Sequence, residues 1–150
     1  MGGYPVSLYT ILLYVHILSA VVSIGPLFAL FSILKRIETA EEASLVGYVQ
    51  SFQAGITAVK HAGHVVVPSG ILLIWQGGWT WHTSWVVLTV GMLIGSIVFL
   101  AKAFKPTIQT FGTESFERTL FVNKLRKATW LYIFLLLVML WLMVAKPILW

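Results

Sequence analysis

The sequence predicts an all-α, polytopic membrane protein: one domain built as a four-transmembrane-helix bundle, with both termini on the outer side (N-out/C-out). Three observations predict it. Of the 150 residues, 59% are hydrophobic and only 10% are charged, a balance far outside that of soluble globular domains. Four apolar runs each approach the ~20 residues that a spanning helix needs. The basic residues gather in two of the three connections between those runs. Four spans and their connections nearly exhaust the chain, so no soluble domain is expected beside them.

The formal charge of +5 comes from ten Lys and Arg against five acidic residues. Because the basic residues lie beside helix ends, they orient the chain in a bilayer rather than bind nucleic acid. There is no Cys, which excludes thiolate metal sites, disulfides and thiol redox chemistry. Any metal must be held by His, Met or oxygen.

Residues 1–7 carry no Lys or Arg, and Val6 interrupts the myristoylation pattern after Gly2. The basic start of a cleaved signal peptide is therefore missing, and the first apolar span is expected to be retained. That span covers about residues 8–34, contains Pro26, and is closed by Lys35 and Arg36. On a helical projection of about 100° per residue, His16 shares a face with Tyr9, Ser19, Ala20, Ser23, Leu27 and Leu30. Small and weakly polar, this face reads as bundle-facing.

A short acidic linker, residues 38–43, precedes an amphipathic stretch from Ser44 that leads into the second span, about residues 52–76. Here lies Lys60-His61-Ala62-Gly63-His64, three ionisable side chains in an otherwise apolar segment. With Lys60 at zero, Gln53 projects at about 20°, His64 at 40°, Thr57 at 60°, Gln50 and Pro68 at 80° and His61 at 100°. The polar groups form one stripe. Val59, Val66, Ile71 and Leu73 are read as the apolar side, suited to lipid. Pro68 cannot donate to the carbonyl of His64 and is expected to bend the helix there.

The turn QGGWTWHT follows, with Trp75, Trp79, Trp81 and Trp85 in or around it, a cluster that marks a membrane interface. His82 in this turn is read as an exposed interfacial residue. The third span, about residues 84–104, carries Gly91 and Gly95 in a GxxxG arrangement that suits helix packing or a homodimer. Lys102 and Lys105 close it. The fourth span, about residues 128–145, has no charge and reads as a packing helix. By the positive-inside rule, Lys35 and Arg36 place the first connection in the cytoplasm. Lys102, Lys105, Arg118, Lys124, Arg126 and Lys127 do the same for the third, leaving the uncharged Trp-rich turn outside.

Ionisable groups at membrane depth are costly and commonly functional. If the midplane passes near Val21 and Val65, His16 lies ~7 Å to the outer side, His64 near the centre and His61 ~6 Å to the inner side. A shift of one turn would set His16 across from His64 or exchange the depths of His61 and His64. Two imidazoles so placed, with Gly63 and Gly91 nearby, suit b-type haem held by His16 and His64 between helices 1 and 2. Lys60 or Lys102 would meet its propionates. A second reading takes His16, His61 and His64 as a three-nitrogen copper or zinc site. A third makes Lys60, His61 and His64 a relay in a small transporter or proton conductor. The bland alternative is an interior hydrogen-bonded His16 and a snorkelling Lys60.

The run YVHILSAVVSIGPLFALF, the Pro before GILLIW, the Trp-rich turn and the third helix together resemble the small bacterial membrane proteins grouped as DUF2269. These belong with copper-resistance-D-like and HemJ-like proteins, and the resemblance covers roughly residues 8–105. It implies a four-helix bundle in the bacterial cytoplasmic membrane in which His16 ligates haem b, with an unnamed redox partner or quinone. The HemJ-like pattern has a Lys early in helix 3, where this chain reads Thr83-Ser84-Trp85-Val86. Protoporphyrinogen oxidation is therefore not carried over, and His64 or His61 is left to supply the second ligand. Electron transfer or haem handling is the expected role.

Overall fold

In a computed structural model of the chain, which describes residues 6–150, Ser7 opens the first helix: its Oγ accepts from the Thr10 backbone N–H at 3.1 Å, the bond that satisfies an orphan donor at a helix start. Helix α1 covers Leu8–Thr39, α2 Glu42–Gln76, α3 Ser84–Gln109 and α4 Arg118–Ala145. All four are long and apolar enough to cross a membrane, and no strand occurs among the described residues. This is an all-helical, multi-pass membrane fold. The signal-peptide and myristoylation readings fall largely on residues 1–5, outside the described residues.

Every helix runs further than its apolar core. The first continues through Lys35 and Arg36 to Thr39, and α2 begins at Glu42 rather than near residue 52. The acidic linker is thereby reduced to Ala40 and Glu41, both in extended conformation. Polar ends do not terminate a helix when every backbone group can stay bonded within it. A π-helical turn, Leu100–Phe104, lies inside α3, which continues past Pro106. A proline in the first turn of such a segment removes no needed donor. The fourth helix starts ten residues before its apolar span, so Arg118, Lys124, Arg126 and Lys127 are helical.

In space the order is α2, α1, α4, α3. The first helix packs along α2 on one side and α4 on the other, and α4 in turn packs against α3. Helices α2 and α3 make no extended contact. The main core joins Leu27, Leu30 and Leu34 of α1, Val49, Phe52 and Val59 of α2, and Val122, Leu125 and Ile133 of α4. Gly55 lets α2 approach: a Cβ there would stand 2.6 Å from Leu30 Cδ2. The basic end is tied by two ion pairs, Arg118 with Glu42 at 2.6 Å and Arg126 with Glu38 at 3.0 Å. Arg118 also donates to the Ala40 carbonyl at 2.6 Å, clamping the turn between α1 and α2 to the start of α4.

Ser19, Ser23, Leu27 and Leu30 of α1 are buried, the face the projection selects. The second helix is turned the other way. Gln50, Gln53, Thr57, Lys60, His61, His64 and Pro68 are all exposed, and α1 meets the flank of Val59, Ala62 and Ser69. Helices in lipid associate through close packing of small residues rather than through burial from water. The flank with the smaller, smoother side chains therefore takes the interface.

Candidate functional site

Toward the Trp-rich end, where α2 and α3 diverge, lies a cavity of about 130 Å³. Its walls are Val66, Gly70 and Leu73 of α2, Trp85, Thr89 and Leu93 of α3, and Met139 and Met143 of α4, and His16 of α1 lines it as well. Trp79, Trp81 and Lys146 line its Trp-rich end.

His16 is the half-buried imidazole here and is held firmly. Its Nδ1 lies 3.0 Å from the Val66 carbonyl oxygen and 2.9 Å from Ser69 Oγ. The Ser69 hydroxyl has a carbonyl acceptor of its own, Val65 at 2.7 Å. The two oxygens beside Nδ1 assign the proton to that nitrogen, shared between the Val66 carbonyl and Ser69 Oγ, because an unprotonated Nδ1 would face a carbonyl lone pair. Nε2 is then left as a lone-pair donor, 3.5 Å from Met143 Sδ. A backbone carbonyl anchoring one ring nitrogen so that the other is presented is the arrangement common to ligating histidines.

Gly70 makes the site possible. A Cβ at this position would lie 3.1 Å from His16 Cε1, whereas at Gly63 and Gly91 it would meet nothing within 4 Å. The latter two glycines therefore face open space and line no gap between packed helices. Nothing in helical periodicity singled out Gly70, although Pro68-Ser69-Gly70 is a local run of small and helix-disturbing residues.

At the Trp-rich end α4 stops before Pro147, and Lys146 adopts the left-handed conformation (φ 47°, ψ 53°) with its N–H donating to the Leu142 carbonyl at 3.0 Å. This conformation costs a non-glycine residue roughly 1 kcal/mol. It aims the ammonium at the aromatic pair: Nζ is 5.1 Å from the Trp79 ring centroid and 5.6 Å from that of Trp85. The two indoles meet edge to face at 5.2 Å. The segment after Lys146 is pinned to the start of α3. Ser84 Oγ donates to the Pro147 carbonyl and accepts from the Leu149 N–H, both at 2.8 Å, and Trp150 Nε1 donates to the His82 carbonyl at 2.9 Å. Trp85 Nε1 is buried without a hydrogen-bond partner among the described residues.

Lys60, His61 and His64 take no part in this cavity. They are exposed on the outer flank of α2, with the rings of His61 and His64 edge to face at 5.7 Å. The structure thus brings His16 to Ser69, Val66 and Met143, and not to His64. Lys102 is exposed on α3, and Gly91 and Gly95 face outward with nothing packed on them. Among the described residues no three His, Cys, Asp or Glu side chains converge as a metal site.

Fold and site define a multi-pass, four-helix membrane protein with one internal imidazole presented to an apolar cavity. No protein-family model, no curated protein and no solved structure matches the chain.

Proposed function

We propose that this chain is a membrane haem protein in which His16 Nε2 would hold the iron and the cleft between α2 and α3 would take the group. The observation that carries the reading is the anchored imidazole of His16, with its free nitrogen turned to an apolar cavity. Two further features support it. The unpaired indole N–H of Trp85 and the ammonium of Lys146 stand together at the outer end, a donor pair suited to the carboxylates of a flat apolar ligand. Met143 Sδ, beside His16, adds a soft, polarisable wall against which a flat apolar ring would pack. A cavity of about 130 Å³ is smaller than the macrocycle, so α2 and α3 must part to admit it. The weak packing between them favours that movement.

Haem would supply a one-electron redox centre there. The chain's own residues hold His16 in one tautomer, exclude water with the indoles of Trp79 and Trp85, and offset negative charge with Lys146. Electron transfer or haem handling is the role such a site would serve. We place the basic end in the cytoplasm of a bacterial cell and the Trp-rich end outside.

Purified in detergent after expression with ample haem, the protein should show a Soret band that His16→Ala abolishes and His64→Ala leaves unchanged. A colourless protein, or a band indifferent to His16→Ala, would refute the assignment. A second reading has its own observation. A separation of 3.5 Å between His16 Nε2 and Met143 Sδ also suits two donors on one soft ion such as Cu(I). Colourless protein carrying stoichiometric copper, lost in Met143→Leu, would select that reading.

A further inference from the structure

The stripe of Gln53, Lys60, His61 and His64 is left outside both the core and the cavity. Its depth follows from contacts already described. Fifteen residues separate Lys60 from Trp75, ~22 Å of helix at 1.5 Å per residue. At the other end, Leu30 touches Gly55, which sets Lys35 of α1 level with about position 50 of α2. Lys60 is therefore ~15 Å inside the ring of basic residues, further than a lysine side chain reaches. An ammonium and two imidazoles thus face the surroundings near mid-depth, where an unpartnered charge is strongly disfavoured.

Nothing within the chain relieves this. Its five acidic residues are Glu38, Glu41, Glu42, Glu114 and Glu117, all at the basic end, and Glu38 and Glu42 are already paired with Arg126 and Arg118. A second copy in the same orientation offers no carboxylate either, and a two-fold contact on this face would oppose Lys60 to Lys60. The complementary surface must carry negative charge at the same depth.

We propose that this face of α2 is an interaction surface for a transmembrane helix of another protein that carries a carboxylate near the middle of the bilayer. Lys60 pairs with the carboxylate, and His61 and His64 flank it as hydrogen-bonding groups. The proposal is independent of what occupies the cavity behind α2.

The test uses intact protein in phosphatidylcholine vesicles, donor-labelled at a single Gly47→Cys. It is titrated with an acceptor-labelled Leu/Ala spanning peptide that has one central Glu, or Gln at the same place. Energy transfer should show the Glu peptide associating about ten-fold more tightly than the Gln peptide. That preference should vanish in Lys60→Met and survive in Lys102→Met, with helicity unchanged in both. Equal association of the two peptides, or a preference that Lys60→Met leaves intact, overturns the proposal. So does self-association between donor- and acceptor-labelled copies that Lys60→Met alters, since a second copy would then cover the face.

Discussion

His16 Nδ1 stands 3.0 Å from the carbonyl oxygen of Val66, fifty residues along the chain, and this bond fixes both the ring's orientation and which nitrogen remains free. The space for the ring is provided opposite, by the missing side chain of Gly70. Gly70→Val should therefore displace the imidazole without unfolding α2. Overpacking of this kind costs about 1–3 kcal/mol, so haem retention in the proposed loaded state should weaken at least five-fold. Haem titration of the purified variant measures it. Undiminished retention would mean that His16 is not the ligand.

The outer end of the cavity supplies the next expectation. Trp85→Phe keeps an aromatic ring, though a smaller one, and removes the unpaired N–H, and Lys146→Met keeps chain length but removes the charge. Hydrogen bonds to charged groups are worth about 1.5–3 kcal/mol. Each change should thus weaken haem binding about ten-fold, whereas Lys146→Met should barely move the thermal midpoint of the ligand-free protein and Trp85→Phe should lower it only by the small void it leaves. Spectroscopic titration and a melting curve separate the two effects.

The helix count and the inward face of α1 were legible because each depends on local spacing alone: Ser19, Ser23, Leu27 and Leu30 repeat at helical intervals and are buried. The orientation of α2 was not legible in this way. A projection groups Lys60, His61 and His64 on one flank but does not say which neighbour that flank meets. In the bundle α1 instead takes the flank of Val59, Ala62 and Ser69. Polarity suggested the opposite choice, since charged groups in lipid are expected to turn inward. Met143 went unnoticed as a partner of His16 because 127 residues separate them, a distance no periodicity bridges. The long helical extensions were hidden for a different reason, as hydropathy marks the membrane-embedded part of a helix and not its ends.

At the basic end, Arg118 grips both the Ala40 carbonyl and Glu42. The ion pair is mostly solvated, with the Glu42 side chain 87% exposed, and exposed pairs contribute ~0–1 kcal/mol. The carbonyl bond, charge-assisted and half-buried, adds about 1.5 kcal/mol. Arg118→Ala should accordingly lower stability by about 1.5–2.5 kcal/mol, and Glu42→Ala by less than half of that. Unfolding in a mixed-detergent gradient would rank them. Equal losses would place the energy in the ion pair.

Core packing near the same end makes a contrast within lipid. Leu34 is fully buried, whereas Val144 is 77% exposed. Removing three side-chain carbons from Leu34 leaves a void that lipid cannot fill, at a cost of about 2–4 kcal/mol. Val144→Ala exchanges one lipid contact for another and should cost close to nothing. Thermal melts of the two alanine variants should differ by several degrees.

With no native Cys, topology can be read from single introduced thiols. Ser115→Cys in the connection between α3 and α4 should resist a membrane-impermeant maleimide in intact cells and react after permeabilisation. His82→Cys should react from outside in both cases. The reverse pattern would invert the bundle.

The spatial order α2, α1, α4, α3 also bears on how the protein is made. As the chain emerges from the ribosome, α1 and α2 can close on each other at once. The third helix has no such companion, because its extended packing is against α4 alone, which is synthesised after it. During that interval α3 must reside in the bilayer as a solitary span, held by its apolar surface. Slowing translation between residues 109 and 128 would lengthen its exposure to membrane quality control.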